Sequence, residues 1–359
     1  MIQTVVRMPR FKKNDLLTMG VRIFVAAGVD KATATELMDS LVLSNLMGVD
    51  SHGVVRIGQY LAALKTGAIV PSAQPRITRE NNVIALLDGC KGFGQIVSKK
   101  AMQLAMDKAR LNGIGVTCFT NVHHVGRLGE FVAIASQEGM IGIMFVNGSR
   151  PGGLVAPFGS RQKMLGTNPL AFSIPAGSCP PLLADFATST VAEGKVRIAH
   201  RKGDRVPIGW LLDKNGKPTD KPGDLYDGGA ITTFGEYKGY ALSLLIEVLA
   251  GILSGAETPI FPDYKMLTNG VFAITIEPSF FRSREEYSMA VDYLFKRIKE
   301  APPALNSQGV LIPGEPEVAQ KAIREREGIS IDHNTLNELE EIAISLGISL
   351  DLHPSVASA

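Results

Sequence analysis

The sequence predicts an α/β protein with helical ends. Three observations carry that prediction. A strand–helix–strand–helix–strand pattern fills the segment from Asn82 to Asn147, and such alternation implies an α/β domain with crossover connections. Helical patterns dominate both ends of the chain, with strands confined to the middle. The 359 residues are 45% hydrophobic and 20% charged, enough for a full core in one large domain or two to three small ones.

At the start, Asp15–Ala26 and Lys31–Met47 read as helices broken at Gly28 and Gly48. Thr33 with Glu36 fits a capping box near the start of the second. SHGVVR, Ser51 to Arg56, comes next, before a run with Ile57, Tyr60, Leu61 and Leu64 at helical spacing. Ser51 is therefore placed as an N-cap, with His52 and Arg56 on one face of the first turn. That face offers a proton donor and a fork for a carboxylate. A surface helix start with two solvated side chains is the other reading of the same residues. Gly67 and the stretch Pro71–Pro75 end this helical segment and mark a boundary.

From Asn82 the texture changes. VIALLD reads as a strand, Gln95 to about Leu111 as a helix, and GIGVTCFT as the next strand. Gly129–Gln137 is a short helix and IGIMFVN a third strand. Within DGCKGFGQIV a Gly-x-Gly stands between strand and helix, where a dinucleotide fingerprint would sit. The third glycine of that fingerprint would fall on Val97, and the strand ending at Thr120 supplies no acidic residue for a ribose. Gly92 and Gly94 are read as a tight backbone turn instead of a Rossmann site.

The Gly/Pro-rich stretch Gly148–Pro169 is long enough to be functional. LAFSIP and LLADFA read as short buried strands, STVAEGKVRIAHRKG as helical, and VPIGWLLDKNGKPTDKP as a hairpin turning at Asn215-Gly216. Lys238–Leu253 reads as an apolar helix. The run Gly239–Ala256 contains Glu247 and three glycines, which favours a buried helix over a membrane span. GVFAITIE is one more strand and Arg282–Glu300 an amphipathic helix. Two helical segments, from Pro316 and from His333, close the chain, with Asp332 capping the second. Residues 1–75, completed by 280–359, are thus expected to form a helical domain around an α/β domain of residues 76–279.

Net charge is +2, from 37 basic and 35 acidic residues, which gives no electrostatic case for nucleic acid or an anionic membrane. The three cysteines are odd in number and form no CxxC, fitting a reducing compartment and no cysteine zinc site. MIQTVVRMPRFKK lacks the apolar region of a signal peptide, so a cytoplasmic protein is expected.

His123 and His124, in NVHHVGR, follow a strand at the end where α/β sites form. Adjacent side chains in an extended loop point apart, and no HExxH accompanies them, so no metal is assigned. A structural histidine and a catalytic one remain open. Asp185 ends an apolar strand before Thr188 and Ser189, where it caps a helix, orients a histidine or meets a cofactor ribose. Lys238 opens the apolar helix against the dipole, so either an anion or solvent is its partner. On these residues alone the chain is an α/β enzyme with a His/Arg site and an anion-binding loop, of open reaction class.

SHGVVRIGQYL, DGCKGFGQ, NVHHVGRLG, VAPFGS with GTNP, LLADFATSTVAEGK, EYKGYALS, LSGA and LIPGE occur in this order, almost end to end. Together they resemble the second malate/L-lactate dehydrogenase family, NAD(P)-dependent oxidoreductases unrelated to Rossmann dehydrogenases. NVHHVGRLG and the run from LLADFATST through WLLDKNGKPT look most similar to its hydroxycarboxylate dehydrogenase branch. The resemblance implies a non-Rossmann, sulfolactate dehydrogenase-like α/β fold with a mixed sheet and an added helical domain. It also implies a homodimer with NAD or NADP near the subunit interface. The implied reaction interconverts a 2-oxo acid and a 2-hydroxy acid by hydride transfer with a histidine acid/base. Reduction of a cyclic imino acid or a sugar-derived 2-oxo acid is the alternative, and an inactive binding homologue a third reading.

Carried over residue by residue, His52 matches the catalytic proton donor of some branches, with Ser51 assisting. Arg56 matches the arginine that holds the substrate carboxylate, and Arg127, Thr167 and Asn168 are placed with the substrate. His124 matches the acid/base of another branch. Asp185 is counted with the catalytic group and, with Phe186, Ala187 and Thr188, with the cofactor-binding strand end. Asn147 and Ser149 stand for the family's Asn-Ser cofactor contact. Lys238 matches the family lysine, with Tyr237 in place of the common histidine before it, and Gly314 with Glu315 forms a late cofactor contact.

Overall fold

The computed structural model describes residues 8–148, 151–261, 269–307, 309–350, 352 and 354. In chain order come β1 (Arg10–Phe11), α1 (Lys13–Ala26), α2 (Lys31–Leu46) and, after two 3-10 turns, α3 (Ile57–Lys65). Then follow β2 (Arg76–Glu80), β3 (Ile84–Gly92), α4 (Gly94–Asn112), β4 (Ile114–Val122), α5 (Gly129–Gln137) and β5 (Ile141–Asn147). Next are β6 (Pro169–Ile174), β7 (Leu182–Ala187), α6 (Glu193–Lys202), β8 (Leu211–Leu212), β9 (Pro218–Thr219) and β10 (Ala230–Ile231). Helix α7 (Tyr237–Ile246) runs into a π-helical segment, Glu247–Ile252. The chain closes with β11 (Asn269–Ile276), α8 (Arg284–Lys299), α9 (Glu315–Glu327), β12 (Ile329–Ser330) and α10 (His333–Ser345).

These elements form two compact units, residues 1–73 with 311–359 and residues 74–310. In the first, Leu16, Ile23 and Phe24 of α1 and Leu37, Met38 and Leu41 of α2 are buried, the inward stripe that the helical spacing sets. Antiparallel pairing of β1 with β12 joins the two chain ends. The cap of α2 is Asp30, whose carboxylate accepts from Thr33 N at 3.0 Å. It stands ahead of the expected Thr33–Glu36 box because the chain at Asp30 is still extended. Asp332 caps α10, accepting from Thr335 N at 3.1 Å and its hydroxyl at 2.7 Å.

The second unit is built on a seven-stranded sheet in the order β2-β3-β4-β11-β5-β6-β7. Only β3 and β4 pair in parallel; every other neighbouring pair is antiparallel. The sheet is thus mixed, with α4 as crossover between β3 and β4. The expected second crossover does not join neighbours, because β11 lies between β4 and β5 and pairs with both. One face carries α4 and α5, with Val97, Met102, Phe131 and Val132 packed on Phe119, Met144, Val146 and Val271. The alternate strand residues Phe145 and Phe272 face Ile246 and Ala250 on the other side. A smaller sheet, β10-β8-β9, packs Leu211 and Ile231 with Val155, Val196 and Leu225.

Three expectations are corrected. The helical unit resumes at Leu311, not at residue 280, because α8 belongs to the sheet unit. Its Asp292 accepts from Gly177 N at 3.0 Å, Ser178 N at 2.7 Å, Cys179 N at 3.1 Å and the Ser178 hydroxyl at 2.6 Å. LLADFA is an edge strand, with Asp185 and Phe186 exposed. The apolar helix is buried on one side only, leaving Leu244, Leu245, Val248, Ile252 and Leu253 exposed in the single chain. No helix among the described residues is long and apolar enough to cross a membrane.

The donors around Asp292 hold its carboxyl well below the usual range, the Ser178 hydroxyl and amide first. A depressed folded-state value means that this stabilisation is complete above about pH 4, the unfolded value, and fades as pH falls below it. Asp292→Asn should therefore lower stability by about 1–3 kcal/mol at neutral pH, the worth of hydrogen bonds to a charged group. It should also flatten the acid limb below about pH 4. Denaturant unfolding across pH checks both; an unchanged limb would show that the tie is not made.

Candidate active site

In the helical unit, SHGVVR forms two 3-10 turns, Asp50–His52 and Val54–Arg56, ahead of α3. Ser51 is therefore not a helix cap; its hydroxyl lies 3.0 Å from His52 Nδ1. Arg56 Nε donates to the Ser51 carbonyl at 2.6 Å and its Nη1 to Gln59 Oε1 at 2.7 Å. One loop thus holds hydroxyl, imidazole and guanidinium in fixed relation, with His52 and Arg56 half-buried.

Residues that local periodicity does not single out support this loop. Asn45 Oδ1 accepts from Val54 N at 2.9 Å, and its Nδ2 donates to Asp50 at 2.7 Å. Arg324 of α9 forks onto Asp50 at 2.5 and 3.0 Å and also reaches the Asn45 carbonyl. Gly314 is the left-handed cap of α9, and Glu315 Oε2 accepts from Ile312 N at 3.0 Å.

In the sheet unit the other candidates gather at one edge of the sheet. There β3, β4, β5 and β7 end and β6 and β11 begin, at Gly92, Val122, Asn147, Ala187, Pro169 and Asn269. His123 is buried and His124 half-buried just past β4. Their backbone passes so close to Gly94 that a Cβ there would lie 2.4 Å from the His123 carbonyl and 2.6 Å from that of His124. The tight turn expected at Gly92 and Gly94 is not formed: β3 runs on to Gly92 with a register shift after Asp88, and Cys90 and Lys91, rather than the glycines, take positive φ. Asp88 holds that irregularity by accepting from Cys90 N at 2.8 Å, Asn121 Nδ2 at 2.7 Å and Arg76 at 3.0 Å. Burial raises the Asp88 carboxyl, but those donors outweigh it and hold it low.

Asp185 precedes α6 but does not cap it; the N-cap there is Ala192. Asp185 Oδ2 accepts from Gly129 N at 2.7 Å, so it caps α5 from the neighbouring strand. Arg127 Nη1 crowds the same glycine, bringing the buried Arg127 and the exposed Asp185 to one helix start. Thr188 donates through N and Oγ1 to the carbonyls of Thr167 and Asn168. Phe186 contacts Phe172 and Phe234 edge-on, and Tyr237 does the same with Phe158. Lys238 and Tyr237 are exposed at the start of α7, and Ala187 is half-buried at the end of β7. Ser149 lies outside the described residues.

Asn147 and Asn168 are fully buried and meet on Glu247, a residue noted in the sequence only as an interruption of an apolar run. Burial raises the Glu247 carboxyl, and hydrogen bonds from Asn168, Gly166 and Asn147 pull it back only in part. Asn269 donates to the Asn147 carbonyl and accepts from Val125 N, linking the histidine loop to the end of β5. Cys90, Lys91, Asn121, Asn168 and Glu236 all hold positive φ around this edge, and strained backbone concentrates at functional sites. Cys118 lies behind it, its thiol pushed up to about 12 by burial and so unreactive.

The profile of a family described as malate/L-lactate dehydrogenase matches residues 11–340. L-sulfolactate dehydrogenase of Methanocaldococcus jannaschii is 39% identical over 330 residues, 90% of this chain and 93% of that one. Its solved structure superposes with a TM-score of 0.87 at 37% identity, over 95% of this chain and 98% of that one. Malate dehydrogenase of Pyrococcus abyssi is 36% identical over 352 residues, 94% and 95% of the two chains. Hydroxycarboxylate dehydrogenase B of Escherichia coli is 34% identical over 348 residues, again 94% and 95%.

The contact at Gly94 tests the geometry of the histidine loop. Gly94→Ala forces backbone, not a flexible side chain, to move, so a loss of about 1–3 kcal/mol is expected. Denaturant midpoints and the imidazole NMR signals of His123 and His124 check it. Unchanged stability and unshifted signals would mean that the loop is not seated on α4.

Proposed function

Because the chain belongs to the malate/L-lactate dehydrogenase family, we propose that it interconverts a 2-oxo acid and a 2-hydroxy acid, using NAD or NADP and a histidine acid/base. The observation that carries this reading is the Ser51–His52–Arg56 loop, with the hydroxyl 3.0 Å from one imidazole nitrogen and the guanidinium held beside it. Arg56 pairs the substrate carboxylate through its terminal fork and so aims the carbonyl carbon. The Ser51 hydroxyl sets the ring of His52, which gives a proton to the oxygen as alkoxide charge develops and takes one back in the reverse direction. The imidazolium also stabilises that charge. His124 is the second candidate for the same proton. Arg127, Thr167 and Asn168 are the further substrate contacts of this reading.

The residues at the sheet edge fit a nicotinamide dinucleotide. Exposed rings of Phe186 and Tyr237 offer faces for a base, and the exposed Lys238 ammonium offers charge for phosphate. When bound, that cofactor supplies or accepts the hydride. Asp185 holds the start of α5 against the strand that carries Phe186, Ala187 and Thr188. Thr188 ties that strand to the Thr167–Asn168 loop. Asn147, Ser149, Gly314 and Glu315 complete the proposed cofactor set. The exposed apolar residues of α7 and its π-helical segment support a homodimer. Three free cysteines support a cytoplasmic location.

The test is oxidation of NADH and NADPH in parallel against pyruvate, oxaloacetate, phenylpyruvate and cyclic imino acids, with and without chelator. Chelator-insensitive turnover of a 2-oxo acid is expected. His52→Ala should lower kcat by roughly 100-fold or more, whereas Arg56→Ala should act mainly on KM. Normal turnover by His52→Ala with a dead His124→Ala would move the acid/base role to His124. Turnover of imines alone would replace the carbonyl chemistry by C=N reduction. Absence of both turnover and NAD(P)H binding would overturn the reading.

A further inference from the structure

We propose that Glu247 is a positioning residue for this reaction: from the start of the π-helical segment, its two carboxylate oxygens hold the end of β5 and the Gly166–Asn168 loop in one fixed arrangement. The inference rests on the function proposed above. Oε2 accepts from Asn147 Nδ2 at 2.5 Å. Oε1 accepts from Asn168 Nδ2 at 2.8 Å and Gly166 N at 3.4 Å. Asn168 Nδ2 is shared with Ser243 Oγ, one helical turn back, at 2.9 Å.

Packing does not explain this side chain. Glu247 is 4% exposed, and its donors among the described residues are neutral amides rather than a cation. A carboxylate so placed is costly, and an apolar residue of similar volume often does as well or better for stability. What an apolar residue cannot do is hold two amide side chains from separate segments at once. The π-helical segment also begins at this residue, and π-helical turns occur often at functional sites.

The two segments held are the ones that carry proposed contacts. Asn168 sits at φ +39, a strained conformation that persists only when its surroundings enforce it. Its carbonyl and that of Thr167 receive Thr188, and the Thr188 carbonyl in turn receives Phe234 N. On the other branch, the Asn147 carbonyl receives Asn269, whose Oδ1 takes Val125 N beside His124. Loss of the Glu247 bridge therefore releases Asn168 toward ordinary backbone and carries Thr167 and Thr188 with it.

The test compares Glu247→Gln with Glu247→Asp. Glutamine keeps an acceptor for Asn168 and Gly166. Its amide meets Asn147, whose Oδ1 has no hydrogen-bond partner among the described residues and can turn to accept. Aspartate keeps the charge but is one methylene too short to bridge both. KM for the 2-oxo acid and Kd for NADH or NADPH should rise roughly tenfold in Glu247→Asp and stay within about threefold of wild type in Glu247→Gln. A merely structural role predicts the reverse signature: loss of melting temperature and of active fraction, with KM and Kd unchanged, and that result overturns the proposal. If Glu247→Asp does not fold, Ser243→Ala gives a milder loosening of Asn168. A twofold to threefold rise in KM or Kd supports the inference, and wild-type values overturn it. Should the wild-type protein neither turn over a 2-oxo acid nor bind NAD(P)H, the functional reading fails separately. Hydrogen exchange then decides the positioning: exchange at the Thr188 and Gly166 amides at least tenfold faster in a folded variant supports it, and equal exchange overturns it.

Discussion

One antiparallel strand determines much of the sheet unit. β11 pairs with β4 on one side and β5 on the other, so those two strands, parallel in direction, stand roughly 9–10 Å apart across it. A doubly wound sheet would bring the ends of neighbouring parallel strands together and open a dinucleotide crevice between them. Here the place of that crevice is taken by the start of β11. Its first residue, Asn269, uses both ends of its amide to tie the loop after β4 to the end of β5. The chain then returns through β6 and β7, both antiparallel, and this return places Asp185 and Phe186 on an exposed edge. A βαβ-like sequence thus yields a sheet edge whose groups come from both strand directions.

Local signals made the regular elements legible. The period of the apolar residues and the glycines at Gly94 and Gly113 delimit α4 to within a residue or so, and IGIMFVN is β5 as read. β2 escaped because RITRE is exposed throughout and carries no apolar face. The neighbours of β11 escaped for a different reason. The Asn269–Val125 contact spans 144 positions, and no local pattern encodes a pairing at that distance. SHGVVR shows the same limit. Its composition suits a helix cap, but Asn45 and the remote Arg324 hold Asp50 and Val54 in 3-10 turns.

For the site, the residue types were legible and the connections were not. Asp185 was recognised as a carboxylate at a strand end, and capping was among its readings. The helix it caps is α5, reached through tertiary structure. The run DGCKGFG reads as a tight turn at Gly92 and Gly94, but it is an irregular end of β3, whose pairing with β4 shifts register between Asp88 and Gly92. Positive φ falls on Cys90 and Lys91, where Asp88 holds the Cys90 amide. The family resemblance picked out Asn147 and Asn168 without the group between them. Glu247 had a signal, a lone carboxylate in an apolar run. The same carboxylate that speaks against a membrane span also marks a group that needs buried hydrogen-bond donors.

Carboxylate-to-amide ties recur across the sheet unit and divide into two kinds. Asp88 and Asp292 accept from backbone amides and side-chain donors, and their carboxyls are held low. They fix turns, and charge-assisted bonds of this kind exceed surface ion pairs in strength. Among the described residues Glu247 accepts from amides, and burial raises its carboxyl. Acidification therefore reaches Glu247 before it reaches the ties that fix the turns, because a raised value titrates first as pH falls. The sheet unit thus separates its supports by environment. Of these three carboxylates, Asp88 and Asp292 stay charged to lower pH than Glu247, the one that bridges Asn147 and Asn168.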